Sequence, residues 1–494
     1  MPETASAAPQ VRRWLTPSLV DAFFVFLLLA AFARPGGWQA LLADGDTGWH
    51  VRTGEMILST GRAPQADPFS FTRPGQPWFA WEWLSDAAFA LAWRHGGITA
   101  VAKMTGAILS LAAALLFAWL LRRRSGLWIA LAITMAVVSA SSVHYLARPH
   151  VFSILFYTAS LWILDEVRRG RARLIWLLPP LCALWANLHA GFVVLPATLL
   201  LAAAADFPSA RLYGIAAVAC LVASGLNPYG FRLHQHILSY LNSSWIADHV
   251  QEFQSPSIRS EGMLVFAALL LAGVALASRG SRFEGALVLV WSFAALRSAR
   301  HIPFCTIAAA PVVASACSTW WQRAAERSTG RSPLRILWEL ARDLGRAPRV
   351  SFWLPICGAI VLAVPAASPA GFPAGRFPVD AVERNAAVLA PGFTSPRILT
   401  SDQWSDYLIY RLYPRQHVFF DGRSDFYGPA LGADYRTLMT ASRGWREVLA
   451  RYGFDLALLP RDWPLASTLG REPGWRKIYG DSVASLFQHE KGVR

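Results

Sequence analysis

Acidic and imidazole side chains are concentrated in one short segment near the start of this chain, directly after its first apolar run. In the segment Asp44-Gly-Asp-Thr-Gly-Trp-His50, two carboxylates flank a glycine, and a histidine follows the second carboxylate by four residues. If the residues from Trp49 to Leu58 form a helix, Asp46 and His50 lie on one face of it, which is compatible with an acid/base pair. A further carboxylate follows about thirty residues later. We therefore take as candidate catalytic residues Asp44, Asp46, His50 and Glu82.

A second set of polar residues lies in short turns between apolar runs, where a substrate could be bound. These residues are Arg148 and His150, Asn187 and His189, and Arg297, Arg300 and His301. Ionisable groups at membrane depth are costly and usually mark a functional site. A fourth turn carries Asn227, His234 and His236. Because four separate turns carry such groups, we expect them to form a substrate-binding surface if the turns meet on one side of the membrane.

Each of these residues also has a simpler structural explanation. Either aspartate of the first segment could cap the predicted helix by accepting a hydrogen bond from a free backbone N–H. Arg148 and Arg300 could extend toward lipid headgroups. Asn187 and His189 could satisfy backbone groups in a tight turn. The tryptophans of the first long loop are typical of an interfacial aromatic belt, and a second use would be to stack on a sugar ring; they are Trp78, Trp81, Trp83 and Trp93.

The elements that position these residues are long apolar runs. The chain has 494 residues, of which 54% are hydrophobic and only 16% are charged, whereas a soluble domain has roughly a quarter charged residues. About 20 apolar residues span the hydrocarbon core of a bilayer. This pattern predicts an α-helical polytopic membrane protein with about eleven transmembrane helices, near 17–34, 98–121, 127–146, 151–164, 174–188, 190–205, 212–226, 262–278, 285–296, 302–320 and 351–367.

The arginines indicate how these helices are oriented. The net charge of +15 could suggest a nucleic-acid partner, but the arginines form short clusters between apolar runs, such as Arg122-Arg123-Arg124 and Arg168-Arg169-Gly170-Arg171. That placement is typical of cytoplasmic loops and argues against nucleic acid as a partner. With the N-terminus in the cytoplasm, every cluster falls on the cytoplasmic side. The polar turns described above then all lie at the outer interface.

The same orientation of the helices predicts two domains in the chain. We predict a transmembrane domain at 1–367, with a long first outer loop at 35–97, and an extracytoplasmic α/β domain at 368–494. Short apolar runs at 418–420 and 456–459 and helical patterns at 404–412 and 445–452 support the second domain. The five cysteines lie in apolar runs without metal-ligand spacing. Only three lysines occur, a bias typical of GC-rich bacterial genomes, so we expect a bacterial inner (plasma) membrane.

An acidic Asp-x-Asp pair directly after the first span, opening a long outer loop, resembles the GT-C membrane glycosyltransferases. Longer segments look like bacterial members of that superfamily with unassigned substrates, and the resemblance covers most of the chain. These segments are Asp44–Gly54, Asp67–Thr72, Trp81–Leu84, Arg148–His150, Asn187–His189, Asn227–Gly230 and Phe420–Arg423.

The resemblance implies a GT-C-like fold and a polyprenyl-phosphate sugar donor, used at the outer face among membrane lipids. The acceptor would be a glycan, a lipid or a protein. An acidic residue of the first loop would act as base toward the acceptor hydroxyl, and arginines at the interface would stabilise the leaving phosphate. No cofactor is certain: Asp44 and Asp46 could instead hold a divalent cation, and the resemblance fits both cases.

Two other function classes fit the same sequence. A transporter or flippase of a polar or lipid-linked substrate would also place charge in the membrane, but near the midplane and in paired halves of the chain. A non-catalytic assembly factor would use its C-terminal domain to bind a partner. Inverted repeats in the fold would favour transport, whereas a pocket covered by the first loop would favour sugar transfer.

Overall fold

The computed structural model describes residues 16–33, 37–328, 332–344, 351, 353–363, 371–392 and 395–490. Three features used in the sequence analysis fall outside these ranges in whole or in part. They are the N-terminal Arg12 and Arg13, the basic stretch that ends at Arg349, and the end of the last predicted span at 364–367.

Helices occupy all eleven apolar runs. Their bounds are Leu19–Ala33, Trp83–Arg122, Leu127–Ser141, His150–Arg168, Leu178–Leu188, Val194–Ala205, Ala210–Ala223, Glu261–Leu276, Arg282–Arg297, Ile302–Arg327 and Trp353–Ala363. Within the described residues, four helical stretches are long and apolar enough to cross a membrane on their own: Trp83–Arg122, Leu127–His144, Gly262–Arg279 and Ala299–Arg327. Four more are apolar but shorter, which tilting or joining to a neighbouring segment would accommodate. The polytopic helical architecture is confirmed, and the count of eleven spans stays a prediction.

Short helical segments connect and flank these helices. Single-turn 3₁₀ segments extend several of them, at Gln39–Leu42, Ser142–His144, Ala172–Leu177, Ala190–Val193, Phe207–Ser209, Gln251–Phe253, Ala277–Arg279 and Ala299–His301. Polar or amphipathic helices lie between them, at Thr47–Thr60, Arg232–Leu241, Ser244–His249 and Pro333–Leu344. The first loop and the loop after residue 226 are therefore largely helical, and each can hold side chains in fixed positions.

The longest helix is bent where the sequence predicts the boundary between loop and membrane. Within Trp83–Arg122, Gly96 and Gly97 leave the helical conformation, and Gly97 has a φ of 63°, in the left-handed region that glycine tolerates best. The stretch before the bend belongs to the predicted first loop, and the stretch after it is the predicted second span. The bend lets one element connect the membrane core with the polar residues near Glu82.

The C-terminal part combines a small sheet with six helices. The strands β1 (Ile398–Leu399), β2 (Leu456–Pro460), β3 (Trp475–Gly480) and β4 (Ala484–His489) form one sheet in the order β1-β2-β4-β3. β1 is parallel to β2, and the other neighbours are antiparallel. The helices are Val379–Arg384, Ala386–Leu389, Asp402–Leu412, Ser424–Met439, Trp445–Tyr452 and Pro464–Leu469. The predicted α/β character is confirmed, although the run at 418–420 forms isolated bridges instead of a strand.

The first loop and the C-terminal part pack together as one body. Phe69 and Trp49 of the loop share a buried hydrophobic cluster with Tyr407 and Leu458 of the C-terminal part. Backbone hydrogen bonds join them as well. The Val418 N–H donates to the Phe69 carbonyl at 2.9 Å, and the Val418 carbonyl accepts from the Phe71 N–H at 3.0 Å. Burying this cluster against water stabilises the contact between two segments that lie far apart in the sequence.

Candidate functional site

Arg148 lies at the centre of the site and bridges three carboxylates. Its Nη1 is 3.1 Å from Asp44 Oδ2 and its Nη2 is 2.9 Å from Asp46 Oδ2. Nη1 also pairs with Oε1 of Glu252, which comes from the loop after residue 226. The structure thus brings together Asp44, Asp46 and Arg148, as the sequence predicts, and adds Glu252, which sequence reasoning missed. Burial would raise the pKa of Glu252, but Arg148 and Arg300 outweigh it and lower that pKa.

The capping explanation is wrong for Asp46. Asp46 occupies the N-cap position of the helix Thr47–Thr60, but its side chain makes no capping hydrogen bond. Instead, the Asp46 N–H donates to Asp44 Oδ1 at 2.9 Å, which fixes the turn that presents both carboxyls. A side chain that carries a charge at this position without capping the helix is free for another role.

The buried carboxyl of Asp46 faces a second carboxyl from the C-terminal part. A side chain on Gly422 would place its Cβ 2.0 Å from Asp46 Oδ1 and 2.9 Å from Asp406 Oδ2, so both carboxyls close on this glycine. Neither of these two oxygens has a hydrogen-bond partner among the described residues. Burial raises the pKa of Asp46 to about 7, an effect that Arg148 opposes and Asp44 reinforces. Burial and the nearby Asp46 also raise the pKa of Asp406.

Close backbone contacts hold the C-terminal part against this turn. A Cβ on Gly45 would lie 2.2 Å from the carbonyl oxygen of Gln403, and one on Gly48 would lie 2.4 Å from that of Asp406. The Gly45 N–H donates to Gln403 Oε1 at 2.8 Å. Only glycine permits this approach, so Gly45 and Gly48 allow the first loop and the C-terminal part to lie in contact beside the acidic pair.

His50 and Glu82 belong to a separate, buried polar group. His50 Nδ1 is 2.6 Å from Asp86 Oδ1, and its Nε2 is 3.7 Å from Glu82 Oε2. The opposite oxygen of Glu82 is 3.5 Å from Nε2 of His189. The predicted pairing of His50 with Asp46 is therefore wrong, because the histidine turns toward the bent helix. Burial lowers the pKa of His50 and raises that of Glu82 to about 8.

The remaining turn residues mostly hold the backbone and neighbouring side chains in place. Asn187 donates to two backbone carbonyls and accepts from the Trp83 indole at 2.8 Å. His150 Nε2 lies 2.5 Å from the carbonyl of residue 144, and His301 Nδ1 lies 3.2 Å from that of residue 294. The explanation that Asn187 and His189 satisfy backbone groups at the turn therefore holds for Asn187, and it also holds for His189, whose Nδ1 accepts a hydrogen bond from the Gly191 N–H at 3.0 Å. His189 in addition links Glu82 to the Ser153 hydroxyl, 2.7 Å from its Nδ1.

The two remaining arginines differ in their surroundings. Arg300 lies over the ring of Phe253, 4.3 Å from its centroid, and beside Tyr240 at 5.8 Å. In the described part of the chain it forms no ion pair with a carboxylate. Arg297 is exposed at the end of its helix and has no ion pair within the same residues. The structure thus places Arg300 beside the site and leaves Arg297 outside it.

A cavity of about 420 Å³ opens between the first loop and the C-terminal part, with the arginine cluster on its wall. Its lining includes Asp44, Asp46, Arg148, Tyr240 and Glu252 on one side and Asp402, Gln403, Gly422, Asp425 and Tyr435 on the other. Sequence reasoning missed the second set. The Phe420-Asp-Gly-Arg423 segment was a signal for these residues, because it is one of the segments that carry the family resemblance, but the sequence assigned it no role.

The tryptophans of the first loop do not form an outward-facing belt. Trp78 is buried below the guanidinium of Arg423, 4.6 Å from it, and the Trp93 indole lies 3.3 Å from the Tyr410 hydroxyl. Trp81 packs edge-on against His236. These indole side chains pack the first loop against the C-terminal part and against the loop after residue 226.

A divalent cation fits poorly at the acidic pair as it is arranged. Asp44 and Asp46 each direct an oxygen at the Arg148 guanidinium. Across the described ranges, no three His, Cys, Asp or Glu side chains are grouped so that they could hold a metal ion. The chemistry proposed below is therefore assigned to side chains alone.

No protein-family model matches the chain, and no curated protein matches it. Among solved structures, it is similar to the crystal structure of ArnT from Cupriavidus metallidurans bound to undecaprenyl phosphate. The two chains share 14% sequence identity with a TM-score of 0.49, and the match covers 94% of this chain and 97% of that one. The function proposed next is argued from the site's own residues.

Proposed function

We propose that this chain is an integral membrane glycosyltransferase of the GT-C type that transfers a sugar from a polyprenyl-phosphate donor to an acceptor hydroxyl. One observation carries the proposal: a buried carboxyl, Asp46, has an oxygen that no N–H or neutral hydroxyl group of the described residues contacts, with only the Asp406 carboxyl beside it, and it lies by an arginine cluster on the wall of a cavity between the first loop and the C-terminal part. A pocket between these two segments is what sugar transfer requires and what a midplane transport site lacks.

Asp46 is assigned the role of general base. As the acceptor oxygen forms its bond to the anomeric carbon of the sugar, its proton passes to the Asp46 carboxylate. The bond from that carbon to the phosphate oxygen breaks, and the polyprenyl phosphate leaves with the electron pair. A base works best when its pKa lies near the operating pH, and burial places the pKa of Asp46 at about 7.

Arg148 and Arg300 are assigned different roles. Arg148 is held by three carboxylates, so its charge keeps Asp44 and Asp46 together at depth and positions the base. Arg300 is stacked on aromatic rings without a carboxylate ion pair among the described residues. A guanidinium in that state can donate two parallel hydrogen bonds to a phosphate. We therefore assign binding of the donor phosphate to Arg300, beside the cavity wall at Tyr240.

Glu82 is assigned a positioning role behind the turn. Because burial raises its pKa to about 8, Glu82 keeps its proton at neutral pH and can bridge the neutral side chains of His50 and His189. This bridge fixes the start of the bent helix relative to the helix that carries Asp46.

The proposed site lies at the outer face. The support is the distribution of arginine clusters, which places the N-terminus in the cytoplasm and the first loop outside. A reporter that is active only outside the membrane, fused after Arg494, gives signal under this topology. A signal from a cytoplasm-specific reporter at the same position would contradict it.

The test of the function is mass spectrometry of lipid-linked sugars and surface glycans in a deletion strain. The deletion is expected to accumulate one polyprenyl-phosphate sugar and to lose that sugar from one surface product. Complementation with the natural chain restores both, whereas Asp46→Asn does not. If the deletion strain shows unchanged lipids and glycans, the proposal is wrong. If Asp46→Asn complements fully, transport of the lipid-linked sugar becomes the better explanation.

A further inference from the structure

A second and larger cavity of about 690 Å³ lies in the C-terminal part, next to the cavity of the acidic site. Arg376, Asp402 and Gln403 line both cavities. Gln403 also accepts the hydrogen bond from Gly45 in the acidic turn, 2.8 Å away. One extended ligand can therefore contact the second cavity and the residues around Asp46 at the same time. We call the second cavity the groove.

The fold places the groove where small sheets commonly bind ligands. β1 and β2 run parallel, with Ile398 opposite Leu456. The residues that follow these two strands, 401–404 and 461–463, line the groove. In sheets with parallel neighbours, the loops beyond the carboxyl ends of the strands form the crevice that holds the ligand. The volume also lies within the range of roughly 300–1,000 Å³ that is usual for such sites.

The lining of the groove is rich in side chains that bind hydroxyl groups. The Arg376 and Arg461 side chains are able to donate paired hydrogen bonds, the Asp402 and Asp462 carboxylates are able to accept them, and the Gln403 amide is able to do both. Neighbouring hydroxyls on a sugar ring present the same mixture of donors and acceptors. A lipid tail would leave all of these groups unpaired.

The position of Asp402 is fixed before any ligand arrives. Its Oδ1 accepts from the Tyr435 hydroxyl at 3.1 Å and from the Gln403 N–H at 2.8 Å. Trp463 is half-buried against the C-terminal core, so its indole is held in place where it lines the groove. A rigid aromatic face beside a fixed carboxylate suits the apolar C–H face of a sugar ring and its hydroxyl edge.

We propose that the groove binds the acceptor and that this acceptor is a glycan, with its receiving hydroxyl passing Asp402 and Gln403 to reach Asp46. This inference rests on the proposed function and names its acceptor class. A glycan presents hydroxyls along its whole length, which match the charged lining, and apolar C–H faces, which match the Trp463 indole, whereas a lipid acyl chain leaves the charged lining unused.

The test uses the full chain in lipid nanodiscs and in the complemented deletion strain. Arg461→Gln and Trp463→Leu are expected to lower the surface product by about tenfold, the effect of losing one well-placed contact. Arg471→Gln, an exposed arginine of the same domain outside both cavities, serves as the matched control and keeps full product. Binding of undecaprenyl phosphate, measured by native mass spectrometry, stays unchanged in all three variants.

The outcomes separate this inference from the proposed function. If Arg461→Gln forms the full amount of product and binds undecaprenyl phosphate normally, the groove is not the acceptor site. The proposal that the chain is a glycosyltransferase is unaffected by that result. If the natural chain neither binds undecaprenyl phosphate nor alters a glycan, the proposed function fails, and the groove proposal fails with it.

The class of the acceptor is tested by photo-crosslinking in cells. A p-benzoylphenylalanine is introduced at position 482, where Ser482 is exposed on the groove and has no assigned role in binding. A sugar-containing adduct, found by mass spectrometry and missing from the same substitution at position 471, supports the glycan. An adduct made of peptide or of lipid without sugar overturns it.

Discussion

Two arginine–carboxylate clusters contain aspartates of the first loop, yet their surroundings differ. In one, Arg148 bridges Asp44, Asp46 and Glu252, and 23% of its side chain is exposed on the wall of a cavity. In the other, Arg423 lies 2.7 Å from Asp67 and 2.6 Å from Asp421, with only 2% of its side chain exposed. The residue types are the same, so sequence composition alone could not distinguish the clusters.

The enclosed cluster is shielded by aromatic rings. The Arg423 guanidinium lies 4.6 Å from the ring centre of Trp78 and 5.0 Å from that of Phe69. Tyr427 donates its hydroxyl to Asp421 at 2.7 Å, so the carboxylate is paired on both sides. This charge network fixes the C-terminal part on the first loop, and because only 2% of the Arg423 side chain is exposed, it offers no face to a ligand. The cluster at Arg148 keeps such a face, and this difference identifies it as the site.

The largest effect on stability is expected at the enclosed cluster. Arg423→Met leaves Asp67 and Asp421 buried without their cation, which costs about 3–5 kcal/mol of unfolding free energy. Thermal unfolding of the purified protein measures it, with the exposed Arg443→Met as control. A loss no larger than that of the control would show that water reaches the cluster, and the comparison between the two clusters would fail.

The largest effect on chemistry is expected at the open cluster. Asp46→Asn keeps the shape of the side chain but cannot accept a proton, so transfer falls by a factor on the order of 10² or more. Its thermal unfolding stays close to that of the natural protein. Asp67→Asn is the matched variant in the enclosed cluster, and it is expected to lower stability with transfer retained at permissive temperature. Normal transfer by Asp46→Asn would remove the base from the mechanism.

Binding of the donor is expected to depend on Arg300 and not on the nearby Arg297. Arg300→Gln removes charge-assisted hydrogen bonds to the donor phosphate, so the apparent affinity for the polyprenyl-phosphate sugar falls by about tenfold. Arg297→Gln is three residues away, exposed and outside the site, and it leaves the affinity unchanged. Equal affinities for the two variants would mean that Arg300 only anchors the loop.

The smallest effect is a displacement of the pH profile. Asp46 acts as a base only without its proton, and its pKa is about 7, so the transfer rate rises as pH increases through about 7. The Asp44 carboxylate raises that pKa, and Asp44→Asn removes this influence. The midpoint of the rate profile should therefore move to lower pH in Asp44→Asn. A midpoint that moves upward would mean that the main effect of Asp44 is to hold Arg148 beside Asp46.

Much of the helical architecture follows from the sequence, because apolar runs and arginine clusters are strong and repeated signals. The eleven predicted runs are helical in the described residues, whereas the ion pairs of the acidic pair with Arg148 were not predicted, because the sequence suggested a phosphate as the partner of that arginine. Glycine at 45 and 48 hinted at a close approach, but nothing in the sequence specified the helix Asp402–Leu412 as the partner. The sequence analysis therefore did not predict the C-terminal half of the site, which contains Asp402, Gln403 and Asp406.

The mistaken pairing of His50 has a similar cause. Spacing along a helix predicts which residues share a face, but it does not specify which other element that face meets. His50 does lie on a buried face of its helix, and it meets Asp86 of the bent helix at 2.6 Å. Glu252 was missed for the same reason, because a single acidic residue in a polar loop carries no local pattern.

The contact between Asp67 and Arg423 joins residues 356 positions apart. During synthesis the first loop emerges long before residue 423, so Phe69 and Trp78 stay uncovered until the C-terminal part has been made. Only then does the acidic turn acquire its second wall, at Gln403 and Asp406. A chain cut short before residue 400 is therefore expected to expose the apolar face of the first loop and to lack the cavity between the two segments.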